Sequence, residues 1–203
     1  MRVLGVDPGI ARTGVAVVEG SPGALHLVHA GCVETQPGVP DAQRLALLDE
    51  QLTALIALTA PDAAAVEQLF FASNRTTAMR VGEARGVALC ALARAGVEIA
   101  EYTPMQVKEG IAGYGGAGKP QVARMVRALL RVERIDGPDD VADACAVAIC
   151  HHHRARMGRA AVAARTRVAA SDGSNRLAAA IAAAQAAGGV LPPRRASARV
   201  QQP

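Results

Sequence analysis

Tryptophan is absent from this 203-residue chain, and phenylalanine and tyrosine number two each. The interior must therefore be built from aliphatic side chains and alanine, and any aromatic left outside it needs another use. No run of 18 apolar residues occurs, and no basic-then-apolar leader opens the chain. The sequence thus predicts a soluble, cytoplasmic protein that neither spans a membrane nor is exported. The four cysteines, Cys32, Cys90, Cys145 and Cys150, show no C-x-x-C spacing and sit among apolar neighbours. Reduced core thiols are expected, rather than disulfides or a zinc site.

Charge is unevenly spread. Residues 1–150 carry 13 Lys and Arg against 17 Asp and Glu, a net −4, whereas residues 151–203 carry nine Arg and one Asp, a net +8. The basic balance of the whole chain therefore says little about nucleic acid unless the acidic body gathers its own cations on one face. Beyond Arg159 the chain turns to Ala/Arg repetition with Gly188-Gly189 and Pro192-Pro193 breaks. Without large apolar residues that segment cannot bury a core, so a folded domain over 1–158 and a basic tail over 159–203, disordered or partly helical, are expected.

Within the body, apolar runs at about 2–7, 13–19 and 24–35, separated by Gly-rich turns, predict an antiparallel meander. A helix follows over 41–59, with Leu45, Leu48, Leu52, Leu55 and Ile56 on one stripe. A short buried strand over 63–67 precedes a long helix that Ser73 or Asn74 caps and that ends near Arg94. Its small residues, Ala78, Gly82, Ala84, Gly86, Ala88 and Ala91, suit close approach of a second helix, and this face is expected to form much of a dimer interface. A strand over 97–102, a short helix from Pro104, a mobile glycine-rich loop over 110–118 and helices over 120–132 and 139–153 complete the body. Strands first in series and then alternating with helices give an α/β domain, a five-stranded mixed sheet flanked by helices on both faces.

Chemistry gathers at element ends. Asp7 closes the first strand in Val3-Leu4-Gly5-Val6-Asp7-Pro8-Gly9, and Glu67 closes the fourth. An aspartate before a Pro-Gly turn can serve merely to bond the turn amides. If the two strands are parallel neighbours, however, both carboxylates emerge where open α/β sheets place ligands. Asp140 and Asp143, three apart, share a face of the last helix, and Asp139 with Asp143 could do the same at spacing four. Four clustered carboxylates repel unless a counter-charge is present. All-oxygen ligation selects Mg²⁺ or Mn²⁺ over Zn²⁺, and two such ions could drive in-line phosphodiester hydrolysis by water.

Five segments carry a resemblance: V-D-P-G-x-x-x-T-G at 6–14, V-E-Q-L-F at 66–70, Q-V-K at 106–108, G-x-G-K at 116–119 and D-x-x-D-A-x-A-x-A-I at 140–149. Together, and in this order over about residues 1–153, they resemble the RuvC family of Holliday junction resolvases. The resemblance implies an RNase H-like fold and Asp7, Glu67, Asp140 and Asp143 as the metal-binding catalytic acids, which on the ligand chemistry above are expected to hold two Mg²⁺ per site, with Mn²⁺ as substitute. It also implies a homodimer that nicks two opposed strands of four-way junction DNA, leaving 5′-phosphate and 3′-hydroxyl ends. A RuvA–RuvB-type branch-migration complex is the implied partner.

Lys108 and Lys119 flank the glycine-rich loop and, on the motif match, hold the scissile phosphate or offset transition-state charge. Phe70 and Phe71 are adjacent, so one is expected in the core and the other free to stack on a base; the resemblance selects Phe70. Gln68 is placed to bond the loop or the DNA. Arg75, with Arg80, Arg85, Arg124 and Arg127, could line a phosphate track or simply face solvent. His151-His152-His153 on a helix point about 100° apart and cannot chelate one ion together. Two rival functions are weighed. A non-catalytic junction-binding protein would tolerate loss of any one acid, yet all four are present. An RNase H-fold phosphotransferase or ATPase would need a second phosphate loop and about twice the length.

Overall fold

The structure, a computed structural model, describes residues 1–68 and 75–171, with side chains described over 1–68 and 77–155. The chain divides into two units, Met1–Gly158 and Arg159–Pro203. Strands β1 (Arg2–Asp7), β2 (Arg12–Ser21) and β3 (Ala24–Glu34) precede α1 (Asp41–Thr59) and β4 (Ala63–Glu67). Then come α2 (Arg75–Arg94), β5 (Glu98–Tyr102), α3 (Pro104–Ala112), α4 (Lys119–Leu130) and α5 (Asp139–Ser171). The five strands form one sheet in the order β3-β2-β1-β4-β5. β1 runs antiparallel to β2 and parallel to β4, and β4 runs parallel to β5. The mixed RNase H-like sheet expected from the sequence is present.

Alternation along β1 distributes its side chains between two cores. Leu4 and Val6 join Val15, Val17, Ala64 and Val66 under α1 and α2, where Leu48, Leu52, Ile56, Ala84, Ala88 and Leu92 close the layer. Val3 points the other way, with Ala16, Val18 and Ala65, into a layer made by α3, α4 and α5. From Ala144 to Cys150 every residue of α5 is buried, so this helix is enclosed rather than amphipathic. Glycines of the sheet permit that depth: a Cβ added at Gly5 of β1 would meet the carbonyl oxygen of Ala144 at 2.1 Å, and one at Gly14 of β2 the carbonyl oxygen of Asp140 at 1.9 Å.

The three histidines that follow are separate fastenings. Tyr102 Oη lies 2.9 Å from His151 Nδ1, His153 Nδ1 is 2.8 Å from the Gly110 carbonyl, and His152 Nε2 is 3.1 Å from the Val18 carbonyl. Since a carbonyl only accepts, His152 donates from Nε2. Burial lowers its pKa from the ordinary 6.5. The unfolded chain therefore takes up the proton first, so this contribution is intact above about pH 6.5 and is lost as pH falls below it. His152→Gln, which keeps an N–H donor, is expected to flatten part of the acid slope in urea-unfolding free energy between pH 7.5 and 5.

Arg44 is 7% exposed, although nothing in the pattern of α1 marks it as core. Its Nε donates to Thr35 Oγ1 at 2.7 Å, and that hydroxyl donates to the Ile10 carbonyl at 2.5 Å. Its Nη1 reaches Asp41 at 3.4 Å, and Asp41 also accepts from Arg80 of α2 at 3.0 Å. The network ties the turn after Asp7 to α1 and α2. Arg44→Met keeps the apolar stem but removes the donors, and is expected to cost about 2 kcal/mol in chemical denaturation.

Several expectations need correction. Cys145 and Cys150 are core thiols, but Cys32 is half-buried and Cys90 is exposed, because it lies on the face of α2 opposite Ala84, Ala88 and Ala91. Those three alanines pack inside this chain's own core rather than offering a surface, whereas Gly86 faces open space and Met79 is exposed. The segment expected as a loop over 110–118 is helical through Ala112, and Ala117 within it is buried. α5 continues well past 153, in keeping with the helix preference of its alanines. The proposed cap at Ser73 or Asn74 falls outside the described residues.

Candidate active site

Two parallel strands deliver the first pair of acids. The register Val6↔Val66 sets Asp7 and Glu67 side by side at the carboxyl ends of β1 and β4. By alternation Asp7 shares the face of Val3 and Gly5, the side covered by α3, α4 and α5. α5 contributes Asp143 from the turn just before its buried stretch. α3 is fixed by a capping box between Thr103 and Gln106, with Pro104 in the first turn, and presents Lys108. α4 opens with Lys119. These five residues line one cleft of about 350 Å³ over a floor of Val107, Val122 and Ala146.

The electrostatics are those of crowded acids. Asp7 is pushed up to about 8, first by burial and then by the neighbouring Glu67 charge and a carboxyl–carboxyl hydrogen bond, with Asp143 and Asp140 adding to it. Glu67 is also raised by burial, but the bond from Asp7 and the charges of Lys119 and Lys108 pull it back. Both shifts are upward, so the two acids hold a proton between them. Asp143 raises the Lys119 ammonium, whose Nζ lies 3.3 Å from Asp143 Oδ2.

Asp140 is not among the residues lining the cleft. Its Oδ2 lies 3.0 Å from Nε of Arg12, a residue at a variable position of the first motif that the sequence reading passed over. Asp139 is exposed in the first turn of α5. Gln68 is half-buried, with its backbone N–H bonded to the Tyr102 carbonyl at 2.8 Å. Arg80 and Arg85 are engaged in ion pairs with Asp41 and Glu101, which argues against a phosphate track along α2. Phe70, Phe71 and the Arg75 side chain lie outside the described residues.

Among the described residues, no three His, Cys, Asp or Glu side chains stand together as a ready-made ligand group. The donors nevertheless suit a hard divalent cation: two half-buried carboxylates share a proton for want of another positive charge, and Asp143 and Asp140 are each held by a basic side chain. A cation would replace the shared proton and compete with Lys119 and Arg12 for the other two acids.

Residues 3–151 match the family model described as crossover junction endodeoxyribonuclease RuvC. The protein of that name from Pelotomaculum thermopropionicum is 50% identical over 153 residues, 75% of this chain and 93% of that relative. One from Roseiflexus is 52% identical over 158 residues, covering 78% and 94%. Among solved structures, Thermus thermophilus RuvC in complex with a Holliday junction substrate superposes with a TM-score of 0.75 at 39% identity, covering 78% of this chain and 96% of that one. The yeast mitochondrial Holliday junction resolvase Ydc2 shares the fold, with a TM-score of 0.56 at 16% identity.

Proposed function

The chain belongs to the RuvC family of crossover junction endodeoxyribonucleases and resolves four-way DNA junctions, and we propose that Asp7, Glu67, Asp140 and Asp143 are the cation-holding acids with which it does so. The observation that carries this reading is the convergence of Asp7, Glu67 and Asp143 with Lys108 and Lys119 in one cleft. A pair of Mg²⁺ ions, replaceable by Mn²⁺, supplies Lewis-acid stabilisation of the phosphodiester and activation of water when bound. The protein's own residues do the rest. Asp7 and Glu67 give up their shared proton on forming the site. Lys119 leaves Asp143 for the scissile phosphate, and Lys108, lining the same cleft, offsets charge that develops on it. The hairpin turn held by Thr35 and Arg44 keeps Asp7 in place beside Glu67.

Phe70 stacks on a base at the opened centre of the junction, and Gln68 and Arg75 contact the strands beside it. Residues 1–158 form the nuclease domain, and residues 159–203 form a basic extension. The enzyme acts as a homodimer through the outer face of α2, where Met79, Gly86 and Cys90 lie away from the core. A two-fold axis is what nicking two symmetry-related strands requires. A RuvA–RuvB-type complex delivers the junction. The test is a denaturing-gel assay comparing a four-way junction with linear duplex, with Mg²⁺, Mn²⁺ or EDTA. Paired nicks that ligase reseals, confined to the junction and lost in EDTA, are expected; equal cutting of duplex or cutting in EDTA would overturn the reading.

A further inference from the structure

The β1–β2 turn ends in a cation directed back at the site. Arg12 opens β2 with its side chain 53% exposed, and its Nε lies 3.0 Å from Oδ2 of Asp140, which is 26% exposed. The distance is that of a close ion pair, but the oxygen is buried and accepts no hydrogen bond from the described residues. Charge, rather than a directed bond, therefore holds Asp140 beside Arg12. By contrast, Lys119 donates a hydrogen bond to Asp143 at 3.3 Å.

The backbone on both sides of this pair is fixed. The Thr13 hydroxyl donates to the Gly9 carbonyl at 2.7 Å and accepts from the Gly9 N–H at 3.3 Å. The Thr35 hydroxyl donates to the Ile10 carbonyl at 2.5 Å, and the Thr35 N–H donates to the Ala11 carbonyl at 3.0 Å. On the other side, the Asp140 backbone lies against Gly14. Parting the two groups thus needs only side-chain rotation. Half exposed and poorly aimed at its carboxylate, a guanidinium gains more from two parallel bonds to a phosphate. Asp140 Oδ2, buried and without a donor, gains more from a cation in the cleft.

We propose that Arg12 is a positioning residue that withholds Asp140 from the cleft until a DNA phosphate at its rim draws the guanidinium away, so that junction DNA and divalent cation bind cooperatively. The inference rests on Asp140 being a cation ligand. By linkage, DNA that removes Arg12 raises cation affinity, and the cation raises DNA affinity by the same factor.

The test is Mn²⁺ titration of the full-length protein, followed by the electron paramagnetic resonance signal of the free ion. It is run without DNA and with a four-way junction whose crossover phosphates are methylphosphonates. The neutral linkages block cutting and remove the scissile oxygens' own attraction for the ion, leaving coupling through the protein. In the unaltered protein the junction is expected to lower the half-saturating Mn²⁺ concentration roughly 3- to 5-fold, the size of a partly exposed ion pair. Arg12→Gln should show that tighter binding without DNA and little further change with it, whereas Arg12→Lys should restore the coupling. Equal DNA-free affinities for the unaltered protein and Arg12→Gln, or an undiminished junction effect in that variant, would overturn the proposal. If instead the unaltered protein binds no more Mn²⁺ than Asp7→Asn in either condition, the assignment of the acids as cation ligands falls, and the proposal with it.

Discussion

Asp7→Asn is expected to lower junction cleavage by at least roughly 10³-fold while leaving junction binding measurable, and at the same time to make the cation-free protein more stable. The loss follows from removing a carboxylate that no neighbour replaces at the end of β1. The gain follows from the environment that raises it. With a folded pKa of about 8 against an ordinary 3.8, the native state holds a proton that the unfolded chain has released. Stability therefore falls as pH rises from about 4 to about 8. Asparagine has no proton to lose, so its advantage is absent below about pH 4 and largest at pH 8, roughly 2 kcal/mol, or about 5 °C in melting temperature. Calorimetry across that range in EDTA, paired with gel assays of cutting and binding, measures both effects. Saturating Mg²⁺ should narrow the gap by stabilising the unaltered protein. An Asn variant no more stable than its parent at pH 8 would show that the two acids are not crowded as described.

A second large effect is expected from one methyl group. At Gly14 an added Cβ meets the Asp140 carbonyl oxygen at 1.9 Å, and at Gly5 it meets that of Ala144 at 2.1 Å. Both obstacles are backbone atoms of α5, so the helix itself must move. Gly5→Ala pushes on the enclosed middle of α5, whose neighbours cannot yield, and is expected to cost about 3 kcal/mol or to prevent folding. Gly14→Ala pushes on the first turn, which has more room to shift, and is expected to leave a folded protein. That turn bears Asp140 and leads to Asp143, so a displacement of about 1 Å is expected to lower cleavage about 10²-fold. The measurement is cleavage rate beside a thermal melt for each variant. A Gly14→Ala protein that melts and cuts like its parent would mean α5 does not fix the second pair of acids.

The sheet, the order of elements and the adjacency of Asp7 and Glu67 were legible because they depend on local patterns. Alternating apolar runs mark strands, and both acids end such runs. That Lys108 and Lys119 gather with Asp143 in one cleft was anticipated by the family resemblance rather than by spacing. Other features depend on contacts that spacing does not encode. Arg44 sits on a helix whose leucines mark the core, yet its burial depends on Thr35 and Asp41. Cys90 read as core from its apolar neighbours, although on a helix the residues beside it in sequence face elsewhere. The pairing of Arg12 with Asp140 joins positions far apart in the chain, and only the close approach of α5 to Gly14 creates it. The three histidines each bond a different element, so no pattern of three could show their separate partners.

The central place of β1 also has a consequence for the chain as it leaves the ribosome. The first acid is synthesised at once but has no neighbour until β4 emerges, and α5 can seat only after nearly the whole body has been made. At translation speeds of about 5–20 residues per second, roughly 4–15 s separate the appearance of Glu67 from that of Asp143. On the proposed assignment of the acids, the nascent polypeptide lacks throughout that interval the groups it needs to hydrolyse a phosphodiester, and gains them only as α5 packs onto the sheet.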